Sequence, residues 1–190
     1  MSTLNIIGLS GSLRAASLNR QALNLAGEVM PEGMLLNIAE WCDVPIFDAD
    51  VMGKGLPSSV AALRERVRLA DGILIATPEY NFSIPGGLKN LLDWLSRGDD
   101  QPFNGKPVAI LSASPGPLGG ARVQYDLRKV MLFLNAMPLV KPEVFIGGAA
   151  GKFDGESGRC TDEITRKFVS DQMAAFQRWI AAVARMRASA

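Results

Sequence analysis

Short apolar runs recur along this chain, and each is followed by a segment with helical spacing. The runs are Leu4–Leu9, Met34–Ala39, Gly72–Thr77, Pro107–Ser112 and a short Val144–Ile146. Gly72–Thr77, GILIAT, has no polar alternation, so a strand made from it must be covered on both faces. Strands of that kind lie in parallel sheets, whose connections need crossovers. Five such runs separated by helices predict a right-handed, doubly wound parallel α/β sheet with helices on both faces.

The helical segments carry their own punctuation. Leu18, Ala22, Leu25 and Val29 keep helical spacing until Pro31–Gly33. Pro57 opens a second helix, with Val60, Leu63, Val67 and Ala70 facing inward and Arg64 and Arg68 facing out. Pro85, Gly86 and Gly87 open a third, whose Leu88, Leu91, Leu92, Trp94 and Leu95 are apolar enough to predict a subunit contact as well as a core face. A fourth spans about Ala121–Ala136, with Val123, Leu127, Val130 and Leu134 on its apolar face. The last begins after Thr161, with Asp162 and Glu163 at its N-terminus and Ile164, Phe168, Phe176, Ile180 and Val183 as its apolar stripe. No repeat or linker divides residues 1–190, which are expected to form one domain.

Composition narrows the chemistry. The chain has no histidine and only two cysteines, Cys42 and Cys160, without a C-x-x-C spacing. That excludes a Ser-His-Asp triad, a Cys-His pair, a histidine general base and the usual zinc ligand sets, so no metal is expected. An enzyme of this composition would rely on a bound cofactor. The net charge of +1 gives no broad basic field for nucleic acid and no acidic field for a protein redox partner, so small-molecule partners are expected. The longest apolar stretch, Val130–Val140, is interrupted by Asn135 and Pro138 and is too short to cross a bilayer. With no basic leader or cleavage site at the N-terminus, and with unpaired cysteines, the expected location is the cytoplasm.

Ligands in doubly wound sheets bind at the carboxyl ends of the strands, beside the switch point. Three loops there are rich in glycine and polar residues. The first, GLSGSLRAASLNR, places Ser10, Ser12, Arg14, Ser17 and Asn19 before a helix, where hydroxyls, amides and a guanidinium suit a phosphate. It matches neither G-x-G-x-x-G nor the P-loop pattern, and an ordinary serine-rich turn capped by Ser17 would read the same way. The second, PEYNFSIPGGLKNLLDW, follows the GILIAT strand with a rigid polar turn. The third, Ser114–Gly120, is a proline- and glycine-rich turn before the fourth helix.

Together GSLRAASLNR, PEYNFSIPGGLKNLLDW and SPGPLGGARVQYDLR resemble the NAD(P)H-dependent FMN reductases of flavodoxin-like fold, especially their quinone and chromate reductase branch. The resemblance covers most of the chain and implies the strand order 2-1-3-4-5, noncovalent FMN, NADPH or NADH as cosubstrate, and a homodimer or homotetramer. It places Ser12, Arg14, Ser17, Leu18 and Asn19 around the FMN phosphate. Pro78, Glu79, Tyr80 and Asn81 would line the edge of the flavin ring. Ser114, Gly116 and Gly119 would form the facing wall, leaving room for nicotinamide or acceptor. Tyr80 could also flank the substrate, and Arg122 could meet the NAD(P)H phosphates.

Each residue also has a plainer reading. Glu79 could brace its loop, Asn81 could satisfy local backbone groups, and Arg122 could pair with Asp126 on a solvated helix face. By resemblance, electrons pass from NAD(P)H to quinones, with chromate, ferric chelates and azo dyes as further acceptors, in ping-pong fashion and without a side-chain acid or base. The rival reading is an FMN-binding electron carrier or redox-responsive binding protein on the same fold, which would not oxidise free NAD(P)H. A hydrolase using Ser10 or Ser12 would lack a base.

Overall fold

The computed structural model describes residues 3–189; residues 1, 2 and 190 of the expected domain lie outside the described residues. The strands are β1 (Leu4–Ser10), β2 (Met34–Ala39), β3 (Gly72–Thr77), β4 (Pro107–Ala113), β5 (Met137–Pro138) and β6 (Val144–Ile146). The helices are α1 (Leu18–Glu28), α2 (Ala49–Met52), α3 (Ser58–Leu69), α4 (Gly86–Leu95), α5 (Ala121–Phe133) and α6 (Glu163–Ala188). All strand pairs are parallel, in the order β2-β1-β3-β4, with both β5 and β6 hydrogen-bonded to β4. The order 2-1-3-4-5 is therefore observed, and the reversal between β1 and β3 is the switch point.

The fifth sheet position differs from the expectation of one strand at Val144–Ile146. It is filled by two pieces, β5 against Pro107–Val108 and β6 against Leu111–Ala113. Pro138, which ends β5, and Pro142, which lies between the two pieces, have no N–H to offer the ladder. Side chains take over there: Arg128 Nη1 donates to Leu139 O at 3.1 Å, and Gln172 Nε2 donates to Pro142 O at 3.0 Å.

Alternate residues of the central strands feed two cores. Ile6, Leu74, Ala76, Ala109 and Leu111 pack with Leu23 and Leu25 of α1 and with Met173, Phe176 and Ile180 of α6. Ile7, Leu9, Ile73, Ile75, Val108 and Ile110 pack with α3, α4 and α5 on the other face. Burial on both faces explains why β3 and β4 lack polar alternation.

Three expectations about helix faces are corrected. Leu88, Leu91, Leu92, Trp94 and Leu95 of α4 are all buried within the single chain, so they offer no subunit contact. Arg64 is buried rather than outward. Its guanidinium donates to Leu95 O at 2.9 Å and pairs with Asp100 at 2.6 Å, closing the C-terminal end of α4. On α6, Ile164 and Phe168 are exposed, while Thr165, Val169, Gln172, Met173, Phe176, Ile180 and Val183 form the buried stripe. Gln172 could join that stripe because its amide nitrogen meets two carbonyls, those of Ile110 and Pro142. Between β2 and α3 lies the short α2, capped by Asp48. Among the described residues, no helix is long and apolar enough to cross a membrane.

Candidate active site at the carboxyl ends of the strands

The loop after β1 is folded by its own serines. Ser10 Oγ donates to Ser12 O at 2.9 Å and accepts from Ser12 N at 3.3 Å, and Ser12 Oγ accepts from Arg14 N at 3.4 Å. Arg14 bends back so that Nε and Nη2 donate to Ala16 O at 3.2 and 2.5 Å. Ser17 caps α1 by accepting from Arg20 N. The loop presses on the end of β3 at Gly11, where a Cβ would stand 2.5 Å from Thr77 Oγ1. The indole N–H of Trp41 holds it from the other side, donating to Ser10 O at 3.0 Å.

Asn19 has a different position from the one expected for a phosphate ligand. Its side chain is buried, with Nδ2 donating to Ala113 O at 3.0 Å and Oδ1 accepting from Ala113 N at 2.9 Å. It thereby ties the start of α1 to the end of β4. Leu18 is partly buried and packs against the core on the α1 face of the sheet. No acidic side chain lies in the first turn of α1, so the positive end of its dipole is uncompensated.

The loop after β3 is held from outside. Tyr80 and Ser83 exchange backbone hydrogen bonds at 3.1 and 3.0 Å around a two-residue turn. Its central residues, Asn81 (φ 49°) and Phe82 (φ 67°), are both left-handed, as in a type I′ turn. For phenylalanine that conformation costs about 1–2 kcal/mol, and neighbouring contacts compensate. Glu79, whose side chain is only 8% exposed, accepts from the backbone amides of Arg122 and Val123 at 3.1 and 3.2 Å. It also pairs with Arg122 Nε and Nη2 at 2.7 and 2.5 Å. Gly120, the N-cap of α5, has no side chain to cap the helix, and Glu79 does so from another loop. The Arg122 guanidinium lies over the Phe82 ring, 3.8 Å from its centroid.

Arg122 therefore does not pair with Asp126. Asp126 instead accepts from Ser83 Oγ and Lys129 Nζ, each at 3.0 Å, which adds a second clamp on the turn. These bonds, that from Lys129 first, hold the Asp126 carboxyl below its ordinary pKa. Lys89 and Asp93 of α4 form a surface pair, and Trp94 Nε1 donates to Pro45 O.

The loop after β4 completes the cleft. Ser114 Oγ accepts from Gly116 N at 3.1 Å, and Gly116 O accepts from Gly148 N at 3.1 Å. Gly119 (φ 60°) is buried, and a Cβ on it would stand 2.7 Å from Gly147 N. Its smallness thus serves the packing behind the wall, whereas Gly116 is partly exposed and faces open space except for Ser114 Oγ.

Between the second and third loops lies a cavity of about 400 Å³, lined by Glu79, Asn81, Phe82, Ser114, Gly116, Pro117, Leu118, Gly120 and Arg122. A second, of about 360 Å³, adjoins the first loop from Ser10 to Ala15. Tyr80 is exposed beside the turn. A larger hollow of about 780 Å³ lies at the opposite pole, by Leu4, Gly33 and Ile180, far from the switch point. The bond between Asn19 and Ala113, the clamp from Ser83 to Asp126 and the left-handed Phe82 escaped sequence reasoning, whereas the bracing of the loop by Glu79 was one of the two readings of that residue. The one local signal was Gly120, a helix start without its own capping side chain.

A 2-1-3-4-5 parallel sheet with a serine-rich loop at a helix N-terminus and two facing loops at the switch point defines a flavodoxin-like mononucleotide-binding protein. The chain belongs to the NADPH-dependent FMN reductase family, whose model matches residues 4–151. It is 46% identical over 177 residues to an NAD(P)H-dependent FMN reductase of Pseudomonas aeruginosa, covering 93% of this chain and 95% of that protein. It is 45% identical over 179 residues to the quinone reductase of Escherichia coli, with 93% and 95% covered. FerB, a flavoenzyme NAD(P)H:(acceptor) oxidoreductase from Paracoccus denitrificans, superposes with a TM-score of 0.86 at 32% identity, covering 94% of this chain and 98% of that one.

The protein is thus an oxidoreductase with FMN as cofactor and NAD(P)H as reductant. The residues present fit that cofactor. The first loop combines hydroxyls, a guanidinium and the uncompensated N-terminus of α1, a donor set suited to a phosphate dianion. The other two loops leave a cleft bordered by glycine, proline and an exposed turn, suited to a flat ring.

Proposed function

We propose that this protein, acting as one domain over residues 1–190, transfers two electrons from NAD(P)H to quinones by a ping-pong cycle. NAD(P)H, a proton and quinone give NAD(P)⁺ and hydroquinone. The observation that carries this reading is the meeting of a phosphate-type loop with an open, neutral slot at one end of the sheet. FMN, when bound, supplies a ring that takes hydride from nicotinamide and passes electrons on.

The chain's own residues bind and orient. Ser12, Arg14, Ser17 and the amides at Leu18 and Asn19 surround the phosphate, while the Asn19 side chain braces the loop. Pro78, Tyr80 and Asn81 border the ring edge, and Glu79 fixes their loop to α5. Ser114 and Gly116 form the opposite wall, with Gly119 supporting it. No side chain serves as a general acid or base, and water reaching the open slot provides the proton.

A homodimer or homotetramer is part of the proposal, supported by exposed apolar side chains such as Ile46, Leu132 and Phe133. Sedimentation giving a monomer at micromolar concentration would remove that part. Two free cysteines accord with a cytoplasmic location.

The test is the visible spectrum of the purified protein before and after anaerobic NADPH or NADH. Flavin absorption that bleaches with reductant and returns with quinone is expected. A flavin spectrum unchanged by both nucleotides would favour an electron carrier. Protein that stays colourless after addition of FMN would overturn the assignment of the three loops.

A further inference from the structure

Two charged side chains line the cavity between the second and third loops, and each is bonded to the other. Arg122 gives Nε and Nη2 to Glu79 Oε1 and lays its face on Phe82. The other lining residues, among them Asn81, Phe82, Ser114, Pro117 and Leu118, carry no charge. The lining is therefore neutral in sum although it contains an arginine.

A lone guanidinium beside an aromatic wall recognises sulfonates, carboxylates and oxyanions. Joined to a carboxylate at 2.5 Å, it presents a short dipole whose field fades within a few ångströms and is further screened by salt. The capping of α5 does not require that charge. A glutamine at the same position could still accept from the amides of Arg122 and Val123. What only a carboxylate adds is the compensating charge, and its burial keeps it facing Arg122.

We propose that Glu79 sets the charge selectivity of the acceptor site: by neutralising Arg122 it makes the cavity favour flat, uncharged acceptors over anionic ones. Without it, Arg122 recruits anions. Glu79 is here a positioning residue, acting through Arg122 and touching no acceptor. The inference rests on reading this cavity as the acceptor site of a quinone reductase.

The experiment compares a naphthoquinone sulfonate with its unsulfonated parent as acceptors for the FMN-loaded protein, in the wild type, Glu79→Gln, Glu79→Asp, Arg122→Gln and the Glu79→Gln/Arg122→Gln double variant. In parallel, calorimetry follows the binding of redox-inert naphthalene sulfonate and naphthol. Glu79→Gln is expected to lower KM for the sulfonate about fivefold while the neutral acceptor stays within roughly twofold. Naphthalene sulfonate should tighten to match, and high salt should erase the gain. Glu79→Asp, which restores the charge, should remain near the wild type. Removing both partners should return the ratio to the wild-type value.

A shift equal for both acceptors, or one that persists in the double variant, would mean that Glu79 acts only by holding its loop, and the proposal falls. If Glu79→Gln does not fold, the salt dependence of the wild type decides: naphthalene sulfonate binding that salt leaves unchanged relative to naphthol supports a neutralised Arg122, and sulfonate binding that salt weakens selectively, as at a free guanidinium, overturns it. If the wild type reduces no quinone with NAD(P)H, the functional reading fails, while the calorimetric pair still decides charge selectivity.

Discussion

The two loops that flank the switch point are built by opposite means. The loop after β1 is held by hydrogen bonds between residues two apart, Ser10 to Ser12 and Ser12 to Arg14. The loop after β3 is held by residues 43 positions away, through Glu79 to Arg122 and Ser83 to Asp126. A loop shaped by its own side chains needs the rest of the chain only to dock it, as Trp41 and Thr77 do at Ser10 and Gly11. One clamped by a distant helix gains a left-handed phenylalanine and a fixed cavity shape, and it depends on that helix to keep them.

This contrast can be broken most directly at Glu79. Glu79→Ala leaves two helix amides and a guanidinium without their carboxylate, and should cost about 2–3 kcal/mol of stability in denaturant unfolding. A loss under about 0.5 kcal/mol would mean that the clamp is cosmetic. Arg14→Ala in the self-folded loop should leave unfolding within about 0.5 kcal/mol while weakening FMN about tenfold, as read by fluorescence titration. Equal losses of stability in both variants would erase the distinction between the loops.

Phe82→Gly sharpens it. Relief of left-handed strain, about 1 kcal/mol, should offset the lost guanidinium contact, so net stability should move by less than about 1 kcal/mol. Amide exchange at Asn81 should nevertheless accelerate. Acid should also loosen the clamp of the second loop. Asp126 titrates below its ordinary value in the folded chain, so its stabilising effect is complete above the ordinary carboxylate range and is lost as pH falls through the lowered folded value. Below roughly pH 4, amide shifts of Ser83 and Lys129 should move, and in Asp126→Asn they should stay still. Movement that persists in that variant would mean that Asp126 is not the group that releases the turn.

What could be read from the sequence follows the same division. The first four strands and the capping by Ser17 depend on neighbours within a few residues and were legible, whereas the proline-broken fifth sheet position was not. GILIAT announced burial on both faces because its composition is a local property. Arg64 was misread because Leu95 and Asp100 lie more than 30 residues away, and an arginine on a helix reads as solvent-facing until such partners are known. The α4 leucines were misread for the converse reason. An all-round apolar helix could meet a subunit or its own core, and only the packing of α3 and β3 around it decided. Arg122 was offered Asp126 of its own helix as a partner, and its actual partner came from another loop.

The back-to-back glycines behind the third loop determine where this site can change over evolutionary time. Gly119 sits against the backbone of Gly147, and Gly147 in turn abuts the carbonyl of Pro117. Any side chain inserted at that seam would pry the wall from the sheet edge, so the seam should be frozen. Leu118 projects into solvent on the rim in front of it, with no such constraint. Laboratory selection for a new electron acceptor should therefore accumulate replacements at Leu118 and its exposed proline neighbours and leave the paired glycines untouched, remodelling the doorway while the frame stays fixed.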